Sequence, residues 1–358
     1  MPIHKITKKI AIRFQQGLYQ WSRLHPRPMP WKGEKDPYKI WLSEIILQQT
    51  RVAQGLPYYE RFIQSFPTVT HLAKAPLQKI LKHWEGLGYY TRARNLHWSA
   101  GHIIHSLKGN FPNTFDEIKK LKGIGTYTAA AIASFAYDLP HAVLDGNVHR
   151  ILSRYLGIYK TIQGTADKKY FQSLANQLLD INHSGLFNQA IMDFGAMCCI
   201  PKNPLCHICP LNKTCFAFNQ DVIDRLPASK KKISKKTRFF HYFILKNKEG
   251  KIYIQKRSKG DIWSDLFEFP LVESPSEKFP DSKLLKKYLS RILTKQAPEL
   301  SFSQILSHQI IKAYIYFYTS NMIHLLTKPV RINSINKLAM PGILAKNRKV
   351  ILHVLKKQ

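Results

Sequence analysis

Acidic residues are scarce in this 358-residue chain. Only 22 Asp and Glu stand against 55 Lys and Arg, a formal charge of +33, and no acid precedes Glu34. The shortage is general, since residues 239–358 carry +13 of the surplus and the rest lies before them. A basic surplus on both halves points to a polyanionic partner, and DNA is the natural candidate. Long apolar runs are missing too. None approaches the roughly 20 residues of a membrane span, so the reading is a soluble protein with no membrane partner. It is also read as a cytoplasmic monomer. Cysteine is confined to one place, with four of the five inside Cys199–Cys215. That excludes a disulfide framework and suits a metal site in a reducing compartment.

What is present centres on residues 114–150, TFDEIKKLKGIGTYTAAAIASFAYDLPHAVLDGNVHR. Thr114 and Glu117 have the form of a capping box, so a helix starts there with Phe115, Ile118 and Leu121 inward. Gly123 and Gly125 interrupt it around Ile124. A second, alanine-rich helix follows, small enough in section to let a neighbour approach closely. Two helices joined by such a turn present backbone N–H groups that hold a phosphate without reading sequence, with Lys122 pointing the same way. An apolar run then reaches Asp145-Gly146-Asn147, and a third helix begins near Val148. Asp145 before a helix is also a common N-cap.

Upstream, the stripe Ile6–Ile10–Phe14–Leu18 looks like a transit peptide but reads as a structural helix. PRPMPWK at 26–32 is a rigid lead-in to an amphipathic helix at roughly 38–54. Within that helix Glu44 has Ile40, Trp41, Leu47 and Gln48 as its i±3 and i±4 neighbours, so no cation on the helix pairs with it. A carboxylate on an apolar stripe loses hydration and favours its protonated form, which is how a general acid is made at neutral pH. Gln48, Gln49 and Thr50 close the helix with polar groups. Helical segments at 56–66 and 70–83 precede WEGLGYYTRARNL, where Gly86 and Gly88 bracket Leu87 beside Tyr89, Arg92 and Arg94. An apolar tip with aromatics and guanidinium groups suits a wedge in a base stack.

Residues 165–198 read as helix, and then come Cys199-x6-Cys206-x2-Cys209-x5-Cys215, with Cys198 left over. Four thiols at these spacings are a strong metal signal, and spacing alone leaves Zn²⁺ and an iron–sulfur cluster both open. A lysine-rich linker covers about 223–238. Beyond it FFHYFILK and KIYIQKRS flank Asn247–Gly250 as a hairpin, with a helix near 281–294 and a strand at KAYIYFY, an α+β pattern.

Assembled, WLSEIILQQT, WEGLGYYTRARNL, LKGIGTYTA, LDGNV and the cysteine loop resemble the bacterial adenine DNA glycosylases, the MutY family of the helix-hairpin-helix superfamily, over residues 20–358. The resemblance implies a mainly α helix-hairpin-helix glycosylase domain over 1–222 with a [4Fe–4S] cluster loop, and a C-terminal α+β Nudix-like domain over 239–358. Within the first it implies a six-helix barrel at about 30–139, with the N-terminal helix and 140–222 forming the iron–sulfur module. The implied activity is excision of adenine opposite 8-oxoguanine or G in double-stranded DNA, near the bacterial nucleoid. On this likeness Glu44 is the general acid, protonating adenine at N7, and Asp145 faces the sugar cation. Tyr127 and Asn147 share that site, while Arg27, Trp31, Leu47 and Gln189 line the adenine pocket. Gln49, Thr50, Leu87, Tyr89, Ser307 and His308 fall to 8-oxoguanine, and Lys122, Gly123 and Gly125 to the DNA backbone. Cys199, Cys206, Cys209 and Cys215 would hold the cluster.

The chain departs from the family in having Lys32 where Arg is frequent after the pocket tryptophan, and Leu306 where Phe is frequent. The Glu-rich box of Nudix hydrolases is absent from 271–294, so the C-terminal domain reads as a damage reader. The rival reading is an endonuclease III-like glycosylase/lyase, whose Schiff-base lysine sits where this chain has Tyr127.

Overall fold

The Thr7 hydroxyl accepts from the Ile10 N–H and opens α1 (Lys8–Leu24), whose Ala11, Phe14, Leu18 and Trp21 are buried along one stripe. The N-terminal stripe is therefore a structural helix, as its period implies. The computed structural model describes residues 6–228, 234–289, 293–294, 296–319 and 329–357. Its contacts divide into two compact units, one of Met1–Ala73 with Trp98–Lys231 and one of Lys74–His97 with Lys232–Gln358.

The first unit is built from helices. After α1 come α2 (Pro37–Leu47), α3 (Val52–Ser65) and α4 (Val69–Lys74), while α5 (Leu77–His83) and the start of α6 (Thr91–Ser106) fall in the second unit. The remainder are α7 (Phe115–Lys120), α8 (Thr126–Tyr137), α9 (Gly146–Leu156), α10 (Thr165–Leu178), α11 (Ser184–Met197) and α12 (Phe216–Asn219). Alanine-rich α8 is the hub and packs against α2, α7 and α11. A second core gathers around α1, α9, α10 and α11, with Phe14, Leu152, Phe171, Phe187 and Phe194 fully buried or nearly so.

Three boundaries differ from the sequence reading. The 38–54 helix ends at Leu47, because Gln48 turns extended and Gln49 takes a left-handed φ of +54° before α3 starts. Pro76 divides the 70–83 segment into α4 and α5. The 165–198 segment breaks at Leu179–His183, where the Asp180 carboxylate accepts from the Asn182 N–H and the Tyr19 hydroxyl. Side-chain bonds of this kind compete with helical ones.

The second unit, apart from α5 and the start of α6, is a mixed sheet with helices. Its strands are β1 (Lys236–Lys246), β2 (Lys251–Tyr253), β3 (Gln255–Lys256), β4 (Phe267–Glu268), β5 (Leu271–Ser274), β6 (Leu300–Ile305), β7 (Gln309–Thr319) and β8 (Pro329–Arg331). β1 pairs in parallel with β7 along all eleven residues, antiparallel with β5, and with β2 through the Asn247–Gly250 hairpin. The sheet order is β6-β7-β1-β2-β8. Helices α13 (Ser282–Leu289), α14 (Gly342–Lys346) and α15 (Arg348–Lys357) complete it. Residues 229–233 of the expected linker and 290–292 of the expected 281–294 helix lie outside the described residues.

Candidate active site

The hairpin in 114–150 forms as its sequence demands. Thr114 caps α7, accepting from the Glu117 N–H at 3.4 Å while its hydroxyl meets the Glu117 carboxylate at 2.8 Å. Gly123 then takes a φ of +85°, a conformation that disfavours a side chain, and Ile124 plugs the core. Lys122, Gly123 and Gly125 are left exposed at the start of α8. The Lys122 ammonium lies 5.2 Å over the ring of Trp98.

In the first turn of α8, Tyr127 meets the carboxyl group of Glu44 on α2 by a hydrogen bond. Glu44 is only 6% exposed, within a helix whose Ile40, Trp41, Leu42, Ile45 and Ile46 are all buried. Burial pushes its pKa up to about 7, the Tyr127 hydroxyl opposes the rise, and the nearby Asp145 charge adds to it. The Tyr127 phenol is driven well above its ordinary pKa, chiefly by burial, so it stays a donor.

Asp145 is the N-cap of α9, with one carboxylate oxygen accepting from the Val148 N–H at 2.8 Å. The other accepts from the Asn147 side-chain amide at 2.9 Å. Burial raises the Asp145 pKa, while the donors from Val148 and Asn147 and the charge of Arg150 favour the anion. Glu44, Tyr127, Asp145 and Asn147 are thus brought together, each from the first or last turns of α2, α8 and α9.

The residues assigned to a pocket by sequence lie partly around α11. Gln189 bonds the Asp193 carboxylate at 3.2 Å, and Arg27 reaches the same carboxylate at 3.4 Å. Trp31 stands edge-on to Tyr59, 5.1 Å between ring centres. Leu47 ends α2, while exposed Gln49 and half-buried Thr50 occupy the turn after it.

In the second unit Ser307 and His308 form the exposed tip of the β6–β7 hairpin, closed by the Leu306 N–H to the Gln309 carbonyl at 2.8 Å. The Ser307 hydroxyl bonds the hydroxyl of Tyr89. A cavity of about 360 Å³ lies here, lined among others by Leu87, Tyr89, Trp263, Gln304, Ser307 and His308. Leu87 differs from the expected apolar tip. The positive φ angles of Gly86 and Gly88 fold the segment back, and its side chain is 5% exposed.

The four loop thiols, Cys199, Cys206, Cys209 and Cys215, line one small cavity with Cys198, Arg154 and Tyr155. Among the described residues no group of three or more metal-type side chains is gathered at single-ion spacing. Backbone N–H groups of Leu211 and Asn212 point at the Cys209 sulfur, and those of Ala217 and Phe218 at the Cys215 sulfur. Arg154 contacts the Cys199 sulfur at 3.5 Å. Cys198 is buried against the Leu205 carbonyl.

Compared with known proteins, residues 42–177 match the HhH-GPD superfamily of base excision DNA repair proteins, and residues 241–352 match the NUDIX domain. An adenine DNA glycosylase of Buchnera aphidicola subsp. Baizongia pistaciae is 41% identical over 260 residues, 72% of this chain and 73% of that one. The chain belongs to the adenine DNA glycosylases. A second relative of the same name, from Buchnera aphidicola subsp. Schizaphis graminum, is 38% identical over 82% of this chain and 84% of its own. Among solved structures a thermostable thymine-DNA glycosylase superposes with a TM-score of 0.56 at 28% identity, over 60% of this chain and all of that one. The fold is accordingly a helical glycosylase domain followed by a Nudix domain.

Two residues near the site escaped the sequence reading. The guanidinium of Arg150 donates to the Cys199 carbonyl at 2.7 Å, the Gly195 carbonyl at 2.7 Å and the Asn147 side chain at 2.9 Å. It lies one turn past Asp145 in LDGNVHR, where a cation at i+5 carried no motif. Asp193, the acid inside IMDFGAM, is the other. A lone acid in that apolar stretch was its signal.

Proposed function

We propose that the chain hydrolyses the N-glycosidic bond of adenine in double-stranded DNA, with Glu44 as general acid and Asp145 opposite the developing sugar cation. One observation carries this reading. A buried carboxyl with a pKa of about 7 sits beside a second carboxylate held by three hydrogen-bond donors. The pair matches the demands of glycoside hydrolysis, in which one group protonates the leaving group and the other faces positive charge. The adenine is first extruded from the stack. Glu44 then delivers its proton to the base, aided by burial that keeps the acid form populated near neutrality. The Asp145 carboxylate, held by its Val148 and Asn147 donors, electrostatically favours the oxocarbenium-like sugar, with Asn147 orienting it. Water captures the sugar, because the phenol of Tyr127 forms no imine and the reaction is monofunctional.

The lesion opposite the adenine is read in the second unit, where the Tyr89–Ser307 pair and the adjoining cavity supply hydrogen-bonding groups beside an aromatic surface. The thiols of Cys199, Cys206, Cys209 and Cys215 fit a [4Fe–4S] cluster. They share one cavity, and N–H donors face two of the sulfurs, as cluster thiolates require. Such a cluster would fix the 199–215 loop, which Arg150 and Arg154 join to α9.

The test is single-turnover excision from A·8-oxoguanine and A·G duplexes by the full chain. We expect adenine release from both, strands that stay intact until alkali is added, and little borohydride-trapped adduct. Ser307→Ala is expected to narrow the preference for the 8-oxoguanine duplex. Strong trapping that survives Lys122→Ala would overturn monofunctionality, and stoichiometric zinc without visible absorption would overturn the cluster.

A further inference from the structure

Asp193 sits in the last turns of α11 with its side chain 2% exposed. Three donors converge on it. Lys32 Nζ lies 2.8 Å from one oxygen and Gln189 Nε2 3.2 Å from the same oxygen, while Arg27 Nη1 lies 3.4 Å from the other. Burying a carboxylate is costly unless partners of this kind surround it. Here the partners do more than neutralise. Gln189 lies one turn back on the same helix, but Arg27 and Lys32 come from the 26–32 segment, 166 and 161 residues away in sequence. That segment holds three prolines, which stiffen it and remove the backbone donors by which an irregular stretch is usually tied down.

The same part of α11 also touches the site itself. Met192 receives the Tyr127 hydroxyl at 3.9 Å, and Gly195 lies so close to α9 that an added Cβ would come within 2.7 Å of the Asn147 Cβ. A helix that abuts Tyr127 and Asn147 therefore carries, one position from Met192, the anchor of the segment bearing Trp31.

We propose that Asp193 is the positioning residue of the base pocket, holding Arg27, Lys32 and Gln189 in register on α11 so that the extruded base meets Glu44. The proposal rests on the reading of this site as an adenine pocket. Two cations share one carboxylate, so one positive charge is left over. Arg27, held by a single long contact and 29% exposed, keeps its remaining donors for the base or its phosphate. Lys32 makes the shorter bond, and as a point charge it needs only one acceptor.

The experiment uses the full chain, an A·8-oxoguanine duplex, and a duplex carrying a non-hydrolysable 2′-fluoro-adenosine for affinity. Wild type is measured first. If it releases no adenine from any duplex, the pocket reading itself fails and this proposal falls with it. If it does release adenine, Asp193→Asn is expected to lower the single-turnover rate about 10–100-fold, the scale of a small misplacement at a reacting centre. Affinity should stay within about threefold, and the pH midpoint of the rate should not move, since Glu44 is untouched. Lys32→Met should lower the rate about three- to tenfold, and the double variant should match Asp193→Asn rather than multiply the two losses. An Asp193→Asn rate within twofold of wild type overturns the proposal, as do parallel losses of rate and affinity, or losses that multiply. If Asp193→Asn fails to fold, Lys32→Met decides alone, and a wild-type rate there overturns it.

Discussion

At the residue scale the proposed mechanism turns on one proton. Glu44 keeps it up to about pH 7. The excision rate of an acid-catalysed reaction should therefore fall as pH rises through 7, read in single-turnover assays from pH 5 to 9. Glu44→Gln should lose that limb and roughly 10²–10⁴-fold of the rate. The same shift bears on stability. The folded carboxyl holds a proton that the unfolded one releases above its ordinary 4.5. Its contribution is full below 4.5 and is lost as pH rises through about 7. Glu44→Gln should consequently melt higher than wild type at pH 8 and equal to it at pH 4. A flat rate profile together with equal melting at both pH values would remove the buried-acid role. Glu44 was legible because its helical neighbours are apolar, which one sequence shows directly. Asp193 stood out only as a lone acid in IMDFGAM, and its role was not legible, because Arg27 and Lys32 reach it from more than 160 residues away and no local pattern encodes that.

At the element scale the decisive contact is α9 against α11. A Cβ on Gly195 would meet the Asn147 Cβ at 2.7 Å and Ile151 Cδ1 at 3.1 Å. Overpacking of this kind costs about 1–3 kcal/mol. Here it would also displace Asn147, which orients Asp145 at 2.9 Å. Gly195→Ala is expected to lower excision about tenfold or more by this displacement, whereas Gly101→Ala, with nothing within 4 Å of its Cβ, should not. Equal rates for the two variants would show that the helix contact does not govern the site. The hairpin was readable because Thr114, Glu117 and the glycine pair act locally. The ends of α2 and α10 were not. Their apolar spacing continues past Leu47 and Leu178, and the breaks depend on a left-handed Gln49 and on Asp180 bonding to Tyr19 on α1.

At the scale of the whole molecule, the +33 charge makes affinity for duplex DNA a matter of salt. A protein making six to ten phosphate contacts loses about 10³–10⁵ in affinity between 50 and 200 mM salt. We expect a fall of that order by fluorescence anisotropy, and a slope near zero would detach the charge from DNA binding. The sheet has a consequence of another kind, set by time. β1 finds its longest partner in β7, and paired residues such as Lys236 and Gln309 are 73 positions apart. At about 5–20 residues per second, a growing chain takes roughly 4–15 s to make that stretch. Through that interval the FFHYFIL strand has an open edge, with only the short β2 and β5, among the described residues, made early enough to pair with it. A newborn molecule is thus most exposed to aggregation while its ribosome is still working, and chaperones have those seconds in which to act.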